Sequence, residues 1–186
     1  MPNLCIHRAG TVARFLTRVT QNHTTSVNLT RRTFEEGSRV EVAFYTAELR
    51  LDPPRNVLVI TFKSEENVKY KDLVFMNAMK LAGAEIWHSA GIILDLRELR
   101  YLYGDWMDCL FRSPFPEVSI TLRKIFGEEP EGGFPIVAVV SELNSAGLIS
   151  LVEKEMFKEP AKFLFNSVEE AAAAVESQWK QGRRAP

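Results

Sequence analysis

Gly91-Ile92-Ile93-Leu94-Asp95-Leu96-Arg97-Glu98-Leu99-Arg100-Tyr101-Leu102-Tyr103-Gly104-Asp105-Trp106 is the stretch whose reading decides the fold. An apolar run ends at Asp95, a polar segment follows, and Gly104-Asp105 opens what reads as a helix, with Asp105 as its cap. A buried strand that delivers its carboxyl end to a loop and a helix belongs to an open α/β sheet. Such sheets place their working surface at that edge.

Moving upstream, residues 40–51 alternate apolar and polar as a strand does, and Asp52-Pro53-Pro54-Arg55-Asn56 is strong turn chemistry. Residues 57–62 form a second, β-branched strand, so the pair reads as a hairpin. Tyr70, Leu73, Val74, Met76, Met79 and Leu81 mark an amphipathic helix, with Gly83 as its expected stop.

Downstream, a helix is expected over residues 105–111, broken by Ser113-Pro-Phe-Pro116, with a second helical piece over 117–126 and a loop over 128–133. Residues 136–140 read as a buried strand, 145–157 as a helix and 162–165 as a short strand. Ser167 with Glu170 three positions on is a capping box, opening a last helix through Trp179. The order β-β-α-β-α-β-α-β-α implies an α/β fold. Its sheet is mainly parallel or mixed, begins with an N-terminal β-hairpin, and carries its helices packed on its faces through right-handed crossovers.

Of 186 residues, 46% are hydrophobic and 25% charged, enough for one globular domain, placed at residues 40–180. Residues 1–39 read as an N-terminal extension and 181–186 as a basic tail. The net charge of −1 hides an asymmetry. Residues 1–34 carry Arg8, Arg14, Arg18, Arg31 and Arg32 without an acidic residue, which leaves 18 basic against 24 acidic residues in the remainder. An Arg-containing, acid-poor start is the composition of an organelle transit peptide, or of a plain leader. The acidic remainder argues against nucleic-acid binding. No apolar run approaches the ~20 residues that a transmembrane helix needs. Cys5 and Cys109 stand alone, as free thiols of a reducing compartment do.

The chemistry of catalysis is thin. His7, His23 and His88 are not spaced as metal ligands. Cys109 lies between acidic neighbours, Asp105 and Asp108, that disfavour a thiolate. Nucleophile-elbow, phosphate-loop and dinucleotide motifs do not occur. No catalytic residue, metal or cofactor is therefore assigned. The candidate surface is a binding one at the carboxyl edge of the sheet. Asp95 and Arg97, with Glu98, form a charged set there, and Tyr103, Gly104, Asp105 and Trp106 form the loop and helix start beside an apolar group of Met107, Leu110 and Phe111. Asn144 and Ser145 follow the next strand at the same edge, as helix caps or as part of an anion-holding helix start.

The chain resembles the STAS superfamily, the fold of anti-sigma-factor antagonists, and more closely its SpoIIAA-like branch, over residues 45–179. The resemblance rests on the hairpin, on Ile92-Ile-Leu-Asp-Leu-Arg-Glu-Leu99, on Ile136-Val-Ala-Val-Val140, and on Phe163-Leu-Phe-Asn-Ser-Val-Glu-Glu-Ala171. It implies a non-enzymatic regulatory or protein-interaction module of a bacterial-type cytoplasm, with a protein partner and a possible homodimer. It also allows an alternative, the carriage or sensing of a small apolar or lipid-like ligand. One departure matters. In this family a phosphorylatable serine follows the central strand, and the alignment puts Asp105 in its place. A carboxylate carries a fixed charge, so the phosphorylation cycle of typical antagonists is not expected here.

Overall fold

The computed structural model of the chain describes residues 38–102, 105–112, 134–154, 156 and 158–182. Tyr103, Gly104, and the expected helical piece at 117–126 with its following loop lie outside the described residues.

The hairpin forms from β1 (Glu41–Leu49) and β2 (Arg55–Ser64), antiparallel and in register from Glu41↔Lys63 to Leu49↔Arg55. Next come α1 (Tyr70–Trp87), β3 (Ile92–Leu99), a 3-10 turn (Asp105–Leu110) and β4 (Ile136–Val139). Then α2 (Ser145–Lys154), β5 (Leu164–Phe165) and α3 (Val168–Gly182) complete the described chain. The sheet is mixed: its order is β1-β2-β3-β4-β5, with β1 antiparallel to β2 and each later pair parallel. Each strand is laid beside the one before it, so crossovers of one hand must place their connections on one face.

That is the layering observed. Leu73 and Met76 of α1, Met107 and Leu110 of the turn, and Leu148 and Leu151 of α2 share a core with Leu58, Ile60 and Phe62 of β2 and Ile92 and Leu94 of β3. The opposite face of the same strands, Val57, Val59, Ile93, Val137 and Val139, is covered by Ala171, Val175 and Trp179 of α3. With both faces covered, the inner strands have no polar side to alternate with. This is why β3 and β4 read as unbroken apolar runs.

Several expectations need correction. Gly83 does not end α1, which runs four residues further to Trp87, with His88 as a left-handed C-cap at φ 43°. Gly83 lies inside the helix, where an added Cβ would stand 2.9 Å from Leu58 and 3.0 Å from Phe44. It is a packing glycine that brings the helix close to the hairpin. Tyr70 and Val74, expected on the apolar face of α1, are exposed at 61% and 52%. The buried face is instead Leu73, Met76, Lys80 and Gly83. Finally, α2 ends at Lys154, and the N–H groups of Met156 and Lys158 reach back to the carbonyls of Leu151 and Val152.

The expected helix after Asp105 is a 3-10 turn of six residues rather than an α-helix. Pro114 and Pro116 have no N–H to give the Leu110 and Arg112 carbonyls; these two and the Cys109 carbonyl accept instead from the ammonium of Lys80, at 3.1, 3.0 and 2.9 Å. The serine half of the capping box forms as read, the Glu170 N–H donating to Ser167 Oγ at 3.1 Å, while the Glu170 carboxylate accepts from the N–H of Asn166, one residue before the cap. At the other end, Ser38 and Arg39, expected in the extension, donate to the Asp72 carboxylate, which also accepts from the N–H of Lys69 at the start of α1. Burial alone raises the Asp72 carboxyl, but these bonds outweigh it and hold the group below its ordinary value.

Candidate functional site

The site is built by an irregularity at the end of β3. Asp95 lies opposite Thr61 of β2 and Val139 of β4, but Lys63 then pairs with Glu98, so β3 carries one extra residue against β2. A bulge of this kind re-aims side chains where a strand leaves its sheet. Leu96 and Leu99, three positions apart, consequently enter the same core, while Arg97 and Glu98 turn to solvent.

The structure brings Asp95 and Arg97 together, and Glu98 does not join them. The Arg97 guanidinium donates to Asp95 through Nε at 2.9 Å and through a terminal nitrogen at 2.8 Å, and the Arg97 N–H also points to the carboxylate. Asp95 is only 7% exposed, so the two-pronged bond satisfies a nearly buried carboxylate. The bond to Asp95 raises the Arg97 guanidinium further above its already high ordinary value. Glu98 pairs instead with Lys63 at 3.3 Å, on the side of β2.

The next loop is fastened to this bulge. The Asn144 amide donates to the carbonyls of Leu96 and Leu99, the latter at 2.8 Å, and its oxygen accepts from the Ser141 N–H at 3.1 Å. Ser141 Oγ donates to the Arg97 carbonyl at 2.7 Å. The Asn144 side chain thus turns back to the sheet rather than onto the first turn of α2, and both of its N–H groups are spent. Ser145 is the first residue of α2, its N–H held by the Ser141 carbonyl at 2.9 Å. Asp105 and Trp106 open the 3-10 turn.

One turn into α2, Gly147 lets the helix touch the chain leaving β3. A Cβ there would lie 2.8 Å from the Leu102 carbonyl oxygen, a backbone atom that has no side-chain freedom to yield. Gly147→Ala is therefore expected to destabilise the domain by about 1–3 kcal/mol despite the better helix propensity of alanine. A urea-denaturation midpoint at or above the wild type's would show that the contact gives way.

The edge therefore presents a rigid frame with a mixed surface. Arg97 and Glu98 carry charge, and Leu102 and Leu143, on the two loops that Asn144 joins, are exposed at 59% and 46%. A polar cleft of about 290 Å³ adjoins this edge on the β2 side, lined by Arg39, Glu41, Lys63, Ser64, Glu65 and Glu66, with Lys63 paired to Glu98. Sequence reasoning places residues 141–145 at this edge but gives Ser141 no role of its own, and it missed the buried Lys80 of α1. Lys80 sits at helical spacing with Leu73, Met76 and Gly83, which was the signal that its position is buried.

Cys109 is a free, half-buried thiol; burial pushes it up from its ordinary range, against the pull of the nearby Lys80 ammonium. Among the described residues no group of three or more His, Cys, Asp or Glu is placed to hold a metal ion. No described helix is long and apolar enough to cross a membrane.

The class these features define is a mixed five-stranded α/β domain with a fastened carboxyl-edge surface. Among solved structures, the chain is similar to an anti-sigma factor antagonist from Mycobacterium paratuberculosis. Identity is 14% and the TM-score 0.43, over 73% of this chain and 94% of that one. No protein-family model matches the chain, and no curated protein matches it.

Proposed function

We propose that this protein is a non-enzymatic regulatory module of STAS/SpoIIAA-like type. It binds a protein partner through the carboxyl edge of its sheet, in a bacterial-type cytoplasm. The surface comprises Asp95 and Arg97, residues 103–106 including Asp105 and Trp106, and the loop of Asn144 and Ser145. The observation that carries this reading is the contrast within that edge. Its polar groups are tied down inside it, through Asp95–Arg97 and through Asn144 to Leu96 and Leu99, while Leu102 and Leu143 stay exposed. Apolar side chains held out on a preorganised frame suit protein contact, because little ordering remains for binding to impose. Asp105 would give this surface a fixed negative charge in place of a switchable hydroxyl.

The test is native mass spectrometry of the protein purified from its own host, followed by the same measurement on Leu102→Glu and Leu143→Glu. A co-purified protein is expected, at least tenfold depleted in both variants while their thermal midpoints hold. Retention of a small apolar molecule in place of a protein would favour the carrier reading. Undiminished partner recovery in both variants would move the interface away from this edge.

A further inference from the structure

The two edges of the sheet are built differently. β5 is two residues long, too short to template another strand. β1 is nine residues long, and its register against β2 runs unbroken from Glu41 to Leu49. It contains no proline, lysine, glycine or bulge, and its only charges, Glu41 and Glu48, stand near its ends. Among the described residues no strand pairs with its outer side. The middle of this edge therefore carries none of the devices by which proteins keep strands from adding to one another.

The strand is self-complementary about Tyr45. Val42 and Phe44 pack with the α1 core and Ala47 and Leu49 with the α3 core, so alternation puts Ala43 and Tyr45 on the α3 face. An antiparallel copy centred on Tyr45 pairs all nine residues and keeps each face on its own side. On the α3 face, Tyr45, 38% exposed, meets its own copy, with an Ala43–Ala47 pair on either side that leaves room for the two rings. On the other face Phe44 stands opposite Thr46, an aromatic against a β-branched residue. Glu41 falls opposite Leu49 and Glu48 opposite Val42, so no like charges meet.

The helix above the hairpin fits the same arrangement. Gly83 of α1 approaches both Phe44 of β1 and Leu58 of β2, so α1 lies over the strand pair. Joining two β1 edges sets two copies of α1 two strand spacings apart, about 10 Å, the ordinary separation of packed helices. Ile86, three positions after Gly83 and so on the same flank, is exposed at 54%. A second copy of the chain supplies both a strand for β1 and an apolar helix flank for Ile86.

We propose that the protein forms a two-fold homodimer through β1, joining two five-stranded sheets into one continuous sheet. The contact is isologous and closes on itself, and the short β5 strands left at the outer edges end the assembly at two copies. The surface of Asp95, Arg97 and Asn144 takes no part in it, and the dimer presents that surface twice.

The experiment is sedimentation velocity on the purified full chain over a dilution series. A reversible particle of twice the 21.1 kDa chain mass is expected. Tyr45→Lys sets two ammonium groups against each other at the axis and should weaken the dimer at least about tenfold, with the circular dichroism of the wild type retained. Oxidised Tyr45→Cys, mapped by peptide, should give a 45–45 disulfide that reductant reverses. Glu41→Cys should give no 41–41 link, because these positions lie about 27 Å apart across the axis. A dimer that Tyr45→Lys leaves intact, or a 41–41 link in place of the 45–45 one, would overturn the proposal. So would a wild type that stays monomeric at every concentration, which would leave the edge to another segment of the chain or to a different protein. The wild-type series and the cross-links need no other partner, so failure here and failure of the binding reading are distinguishable.

Discussion

Trp179→Ala should lower the stability of the domain by about 4 kcal/mol, the largest effect expected of a single truncation in this protein. The indole is 1% exposed and closes the second core, with Val175 and Ala171 one and two turns before it on α3. Its Nε1–H donates to the Ala90 carbonyl at 2.8 Å, and the guanidinium of buried Arg55 stacks 4.0 Å from the ring centroid. Truncation therefore removes apolar burial, orphans a carbonyl and takes the π-face from a buried cation. Trp179→Phe keeps most of the volume and part of the stacking, so it should cost less than half as much. Equilibrium urea denaturation measures both. A loss below about 1.5 kcal/mol for Trp179→Ala would mean that α3 is not the closing element of that face.

The second large effect is expected at Asn144. Asn144→Ala deletes the donors to the Leu96 and Leu99 carbonyls at a position only 2% exposed, leaving two buried acceptors at the bulge without that partner. Each such orphan costs about 1–3 kcal/mol, and the total expected is about 3 kcal/mol. Asn144→Asp is the sharper variant. A carboxylate has no N–H to donate and would face two carbonyls, so it should be at least as destabilising as alanine near neutral pH. Its cost should diminish in acid as the carboxyl takes a proton. Wild-type stability for both variants would show that the loop is held without this side chain, and with it would go the preorganised edge on which the binding reading rests.

Much of the fold was legible because its signals are local. The hairpin is marked by two apolar strands around Pro53 and Pro54, and β4 by an uninterrupted apolar run. The capping box needed only Ser167 and Glu170 at the right spacing. The misreadings share a different cause, since each depends on what a distant segment does. Gly83 carries the usual signature of a helix stop, and only the approach of Phe44 and Leu58 makes it a helix interior. The partners of Lys80, the carbonyls of Cys109, Leu110 and Arg112, lie some thirty positions further on. The bulge that separates Glu98 from Asp95 exists only in the register of β3 against β2. Within the candidate site, the sequence offers Asp95, Arg97 and Glu98 as one charged set at the strand end, and which of them pair is settled by the bulge. Asn144 was placed at the right edge but given the wrong neighbours, because a cap and a staple look identical in one dimension.

The one-sided layering has a consequence for the protein's synthesis. The helix connections that cover the first face are made as the strands are made, so that core can close progressively as the chain grows. The second face, Val57, Val59, Ile93, Val137 and Val139, has its described cover in α3, the last element translated among them. A nascent chain that stalls or is cut before Val168 displays a wet strip of β-branched side chains across parallel strands, a strong substrate for chaperones and for aggregation. Completion of α3 buries this strip, so incomplete chains carry their own mark for quality control and finished ones lose it.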